Sequence, residues 1–190
     1  MTQKMSLKNG VCDEHKFVIS ACGFTFQGYC SILNKYGIHA SQIHFNGDEA
    51  SQQDVENILK NQDAHIVVFL GKGVVNLLES LKRLASVLNA LPVIRHVTLY
   101  GDIPDGWLYR TLGSLLNNSY QLSLIRVASV SDIVGCFNTH YKSFKDRSRV
   151  LRERYMDIGS EENLKWLTRR EIDVLLNFYR GMSVKEMCDR

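Results

Sequence analysis

Five consecutive apolar residues, Ile66-Val67-Val68-Phe69-Leu70, narrow the folds open to this chain more than any other stretch. No polar residue interrupts the run, so it reads as a strand covered on both faces, the pattern of a central strand in a parallel sheet. Gly71-Lys72-Gly73 closes it, and the period then changes. Val74, Leu77, Leu78, Leu81, Leu84, Ala85, Leu88 and Leu91 recur at i, i+3, i+4 and i+7, which is one face of a helix, with Glu79, Lys82 and Arg83 off that face. Parallel strands are joined by crossovers, usually helical, so this unit predicts a sheet between layers of helices.

The alternation extends over the first 145 residues. Further strands are expected at 17–19, 42–45, 97–100 (preceded by Val93-Ile94) and 122–127. Further helices are expected at 24–36, carried by Phe26, Tyr29, Cys30 and Leu33, and at 54–61, carried by Val55, Ile58 and Leu59. Two more follow at 107–116, with Trp107, Leu108, Thr111, Leu112 and Leu115, and at 131–144, with Ile133, Val134, Phe137 and Tyr141. Five strands alternating with five helices predict an α/β domain over 14–145, a five-stranded parallel sheet with helices on both faces. The flavodoxin-like winding is the commonest small form of that arrangement.

Composition excludes several classes. A hydrophobic content of 45% and a charged content of 23% are those of a globular domain. The longest apolar run stops at Lys72, well short of the ~20 residues that span a bilayer, so no membrane partner is expected. Five scattered cysteines and no secretory segment point to reduced thiols and a cytoplasmic protein. Cys12 and His15 have a ligand-like gap without a second pair, and the six histidines are dispersed along the sequence, so no metal site is expected. Gly71-Lys72-Gly73 lacks the Walker spacing and reads as a tight strand-to-helix turn. Ser20, Cys22 and His96 have no nucleophile elbow around them, so the chain reads as a non-enzyme without a cofactor.

The last two dozen residues carry a different signal. Thr168 stands three residues before Glu171, and Ser183 three before Glu186, each a capping box; Leu167 with Ile172 and Met182 with Met187 are the matching staples. Gly181 is placed to end the first of these short helices in a left-handed turn. Two helices joined by a tight turn are the opening half of a helix-turn-helix.

This pattern resembles the DNA-binding domain of LuxR-type transcription regulators, which opens Leu-Thr-x-Arg-Glu-Ile-x-Val-Leu and continues Gly-x-Ser-x-Lys-Glu-Ile. Leu167, Thr168, Arg170, Glu171, Ile172, Val174 and Leu175 match, as do Gly181, Ser183, Lys185 and Glu186, with Met187 in the last position. The match covers roughly an eighth of the chain. In that family a recognition helix follows; this sequence ends at Arg190, so 167–190 is expected to be a partial helix-turn-helix. Arg169, Arg170, Ser183 and Lys185 are the candidate DNA contacts, to phosphates at best. Residues 146–166 read as a basic connector. The run Lys145–Arg154, with five basic residues in ten, is a solvated face or an electrostatic aid to DNA binding.

Joined to such a tail, the α/β domain looks like the receiver domain of two-component response regulators. Gly28-Tyr29 followed by Ile32-Leu33 fits the start of a receiver's first helix. The alignment puts Ser20 and Ala21 where a receiver has its acidic pair, Leu70 or Gly71 at the phosphate acceptor, Tyr100 or Gly101 near the switch hydroxyl and Arg126 near the invariant lysine. None of the acid positions is a carboxylate, so the resemblance implies a degenerate receiver that takes no aspartyl phosphate, the layout of RcsA-like auxiliary regulators. It further implies a homo- or heterodimer with a full-length LuxR-type regulator, with Trp107, Tyr109 and Tyr141 as candidate interface residues. Trp107 and Tyr109 stand equally well as core, and Leu112 reads as core. The rival expectation is a protein-interaction module with no DNA role; a third is a small α/β enzyme or nucleotide binder.

Overall fold

The computed structural model describes residues 15–93, 95–130, 133 and 166–188. The helix expected over 131–144 (Ile133 excepted), with Tyr141, and the connector 146–165 lie outside the described residues. The elements, in order, are β1 (His15–Ser20), α1 (Gly23–Asn34), β2 (His39–Gln42), β3 (Phe45–Asn46), β4 (Glu49–Ala50), α2 (Gln52–Lys60), β5 (His65–Phe69), α3 (Val74–Ala90), β6 (His96–Tyr100), α4 (Asp105–Leu115), a 3-10 turn (Ser119–Leu124) and β7 (Ile125–Ala128). Two further helices follow, α5 (Arg169–Tyr179) and α6 (Val184–Cys188).

Strands β2-β1-β5-β6-β7 form one sheet in that order, every neighbouring pair parallel. Counting only these five strands, the order is 2-1-3-4-5, that of the flavodoxin-like winding. Ile66 to Phe69 of the apolar run lie in the middle strand, β5, and alternate between two cores. Ile66 and Val68 join Phe17, Ile19, Val97, Leu99, Ile125 and Val127 beneath α2, α3 and α4. Val67 and Phe69 join Val18, Tyr29, Leu33, Tyr100, Ala128 and Ile133 on the face that α1 covers. Both faces of the sheet are therefore packed, which is why the run contains no polar residue.

Two elements differ from the sequence expectation. The second strand ends at Gln42, and the ladder closes with the Ile43 N–H donating to the Val18 carbonyl at 2.9 Å. The chain then makes a small antiparallel hairpin, β3 with β4, around Gly47-Asp48, with Gly47 at φ +65°. The two-residue loop Gly47-Asp48 needs a positive φ at its first position, which glycine adopts without strain. The fifth strand starts at Ile125. Residues 119–124 turn instead, capped by the Asn118 side chain accepting from Tyr120 N–H at 2.9 Å and tied to α3 by Gln121 Nε2 donating to the Leu88 carbonyl at 2.7 Å.

The first turn of α2 holds the hairpin in place. Ser51 caps the helix, and Asp54 Oδ2 accepts from His44 N–H (2.8 Å), the Ser51 hydroxyl (2.8 Å) and His44 Nδ1 (3.1 Å). Burial works against the Asp54 carboxylate, but the bonds from His44 and Ser51 outweigh it and hold its pKa below the ordinary value. The depressed carboxylate contributes stability above the unfolded value, about pH 4, and loses it as pH falls through the lowered folded value. We expect Asp54→Ala to cost about 2 kcal/mol near neutral pH, the scale of lost hydrogen bonds to a charged group. Denaturant unfolding should show that deficit shrinking in strong acid, and a pH-independent deficit would contradict the assignment.

Candidate nucleic-acid interface and the carboxyl edge of the sheet

In an open parallel sheet the crevice for ligands lies beyond the carboxyl ends of the strands, where the order reverses, here between β1 and β5. At this point β1 ends in Ser20 and runs into Ala21 and Cys22, while β5 runs into Leu70 and Gly71. The Ser20 hydroxyl is engaged locally, donating to the Cys22 carbonyl at 2.9 Å and accepting from Cys22 N–H at 3.2 Å. Gly71 lies against α3 so closely that a Cβ there would come within 2.5 Å of Asn76 Cβ. Asn76 Nδ2 donates to the Lys72 carbonyl at 3.1 Å, so Gly71-Lys72-Gly73 is a tight turn into α3 with Lys72 at the surface. Directly below, Tyr29, Phe69 and Tyr100 pack ring to ring, Phe69 5.2 Å from Tyr29 and 5.3 Å from Tyr100.

Among the described residues the carboxylates of this rim, Asp102 and Asp105, belong to the β6–α4 connection and the start of α4, not to the ends of β1 or β5. Among the described residues no group of three or more His, Cys, Asp or Glu side chains is placed to hold a metal ion. Hard divalent cations take oxygen ligands, and Ser20, Ala21, Leu70 and Gly71 offer no carboxylate oxygen. The Cys22 thiol, exposed ahead of α1, has its pKa lowered by the nearby Thr25 N–H and hydroxyl and the Phe24 N–H.

The carboxyl-terminal helices have the local geometry their sequence calls for. The Thr168 hydroxyl accepts from Glu171 N–H at 3.3 Å while Glu171 Oε2 accepts from Thr168 N–H at 2.8 Å, a complete capping box on α5. Ser183 and Glu186 repeat it on α6, with the same 3.3 and 2.8 Å distances. Gly181, at φ +82°, ends α5 in a Schellman turn: Gly181 N–H bonds the Phe178 carbonyl and Met182 N–H the Asn177 carbonyl, each at 3.0 Å.

Where α5 lies could not be read from its own sequence. It packs across α3 and α4 on the side away from the sheet, burying Ile172 and Leu176 completely in the main core, with Leu167 and Leu175 beside them. The Ser114 hydroxyl of α4 donates to the Leu167 carbonyl at 2.9 Å, the Arg169 guanidinium bonds the Leu115 carbonyl, and Arg110 stacks 4.8 Å over the Trp166 ring. Along α3 an ion cluster completes the contact. Lys82 Nζ lies 2.7 Å from both Asp48 and Asp173, and Arg180 lies 3.2 Å from Asp48 and 3.1 Å from Glu79. Burial disfavours the Asp48 carboxylate, but Lys82 and Arg180 outweigh it and lower its pKa; burial likewise opposes the Lys82 ammonium, and Asp173 and Asp48 outweigh it and raise its pKa.

All four candidate DNA contacts, Arg169, Arg170, Ser183 and Lys185, are exposed, Ser183 within its capping box. Arg169 is turned to the end of α4, where a cation satisfies a terminal helix carbonyl. Trp107 and Tyr109 are half-buried against the main core, Leu112 is fully buried, and Tyr141 lies outside the described residues. The residues missed from sequence are Asp48, Glu79, Lys82, Asp173 and Arg180. Asp173 and Arg180, two turns apart on α5, are the visible half of that signal; their partners are about a hundred residues away.

Exposed ion pairs contribute about 0.2–1 kcal/mol each and are screened by salt, whereas truncating a buried Ile costs about 2–5 kcal/mol. Apolar burial therefore dominates the attachment of α5. Ile172→Ala is expected to speed amide exchange throughout 169–179, and 1 M salt to change it far less. The opposite ranking would mean that charge holds the helix. No protein-family model, curated protein or solved structure matches the chain, and its own residues carry the reading of what it does.

Proposed function

We propose that this chain is a transcription regulator of the LuxR type, response-regulator-like in layout, whose receiver-like domain acts by partner association rather than by phosphorylation. The observation that carries the reading is the paired capping geometry of α5 and α6 around the Gly181 turn, the local form of a helix-turn-helix opening. The strand order and the carboxylate-free ends of β1 and β5 support the second half. Arg170 and Lys185 then meet the phosphate backbone. Cations alone give weak, salt-sensitive, sequence-blind binding, so a full-length LuxR-type partner supplies base reading in the major groove. The α/β domain provides the dimerisation surface, with the α4 residues Trp107 and Tyr109 and the undescribed Tyr141 as its candidates.

A second reading, a protein-interaction module without a DNA role, is favoured by one finding. Two cations at the ends of α5, Arg169 and the C-cap residue Arg180, are already bonded within the chain. Gel-shift titration separates the two. The regulator reading expects weak binding by the chain alone, abolished by raised salt and by Arg170→Ala with Lys185→Ala. It expects specific binding once a full-length regulator is added. Nanomolar sequence-specific binding by the chain alone contradicts partner dependence, and no enhancement with any such regulator favours the interaction module. Treatment with acetyl phosphate and Mg²⁺ is expected to leave the intact mass unchanged; a hydroxylamine-labile phosphate on the α/β domain would overturn the degenerate-receiver half.

A further inference from the structure

Histidines that are dispersed in the sequence meet at one rim of the sheet. His15, His39, His65 and His96 are the first residues of β1, β2, β5 and β6, four adjacent strands. The register pairs His15 with His39 and His65 with His96. Paired residues of adjacent strands point to the same side, with strands ~4.8 Å apart. Phe17 and Ile19 follow His15 at two-residue steps and lie in the main core, so His15 and His39 belong to the face that α2, α3 and α4 cover. Lys16, two residues before Val18, belongs to the α1 face, and His65 and His96 with it.

Two imidazoles at that spacing can chelate. Two ring nitrogens reach one borderline divalent ion, each at ~2.0–2.1 Å, and water fills the remaining positions. The two pairs differ in which ring nitrogens are already engaged. In His65 both are taken: Nδ1 lies 2.9 Å from Lys16 Nζ and Nε2 lies 2.8 Å from the Thr98 hydroxyl, with Lys16 and Thr98 buried. An ammonium beside the ring also repels a metal cation. The His65–His96 pair is therefore unsuited to one.

His15 is held differently. Its Nε2 lies 2.9 Å from the Ser41 hydroxyl of β2, and its ring packs 4.7 Å from that of Phe17. With a metal ion on Nδ1, Nε2 carries the ring proton and donates it to Ser41 Oγ. An outer contact of this kind fixes the tautomer and orientation of a histidine ligand and raises the basicity of the nitrogen that ligates. His39 stands exposed on the edge strand, accessible to a hydrated ion. Burial first, and His39 second, lower the pKa of His15, so at about pH 7 its ring is mostly in the neutral form that binds metal. The effect of His39 on His15 also places the two rings within electrostatic reach of each other.

We propose that His15 and His39, with Ser41 orienting His15, form a two-histidine site for a borderline divalent transition ion of the Ni²⁺, Cu²⁺ or Zn²⁺ class at the amino-terminal rim of the sheet. Among the described residues no third His, Cys, Asp or Glu joins them, so the site is open and its ion exchanges with solvent, unlike a closed structural centre. An ion there ties edge strand β2 to β1, and its binding favours the folded sheet.

The test is calorimetric titration of the whole, untagged chain with Ni²⁺ at about pH 7.5, where both imidazoles are mostly neutral. Ni²⁺ suits imidazole nitrogen and does not oxidise free thiols. One binding event is expected that His15→Gln and His39→Gln each weaken at least ~tenfold, and that Ser41→Ala weakens about tenfold through loss of the orienting contact. His96→Gln is expected to leave it unchanged. Equal affinity in the wild type and His39→Gln, or an equal loss in His96→Gln, overturns the proposal; an unchanged Ser41→Ala overturns the orienting role. Should His15→Gln fail to fold, NMR of the wild type with substoichiometric Ni²⁺ decides. Paramagnetic broadening centred on residues 15 and 39 supports the site, and broadening centred elsewhere, such as on Cys22, overturns it. The outcome is independent of DNA binding and leaves the regulator reading untouched either way.

Discussion

The burial of α3 on two sides is the constraint on which the rest of the structure depends. Its buried residues, from Leu78 and Leu81 through Leu84 and Val87 to Leu88, occupy roughly half the circumference. A helix that only covered a sheet would need a narrower stripe. The extra width is where α5 sits, so the same helix roofs the sheet and floors the carboxyl-terminal segment. Helices of 11 and five residues are marginal alone in water, and capping contributes only ~1 kcal/mol per box. The ordered state of α5 is therefore a property of the α/β domain as much as of α5.

The carboxyl edge of the sheet shows the same economy of means. A parallel sheet places loop residues at its switch point whatever they are, and chemistry follows only from side chains that can ligate or transfer a proton. Here that place holds a serine bonded to Cys22, a glycine pressed against α3, and three packed aromatic rings, Phe69 stacked on Tyr100 with Tyr29 edge-on. Among the described residues this edge offers no oxygen-rich set for a hard cation, and Trp107 and Tyr109 stand half-exposed on α4.

Much of the fold was legible because its signals are local. The apolar run at 66–70, the 3.6-residue period of α3, both capping boxes and the Gly181 turn each depend on residues within a few positions, and the structure has them where those residues stand. The strand expected at 42–45 ends at Gln42 because the chain turns at Gly47-Asp48 into a hairpin that takes Phe45 into β3. The strand expected at 122 starts at 125 because the Asn118 and Gln121 side chains offer the backbone a tighter turn. What no local reading reaches is register and tertiary pairing: Arg180 with Asp48, 132 positions apart, or four dispersed histidines aligned by parallel strands that begin together.

The orientation of α5 also limits what a partner can touch. Ile172 and Leu176 are committed inward, while Val174 and Phe178, four residues apart on the same helix, are 47% and 64% exposed, with Tyr179 edge-on to Phe178. Met182 and Met187 stand half-buried on the turn and on α6. A helix bound to this segment while α5 stays in place must therefore use the Val174–Phe178 side, and one that needs Ile172 must first displace α5 from α3. The second route carries the cost of exposing two fully buried side chains, about 3–6 kcal/mol by area, so an approach from the open side is favoured unless the partner's own burial exceeds that figure.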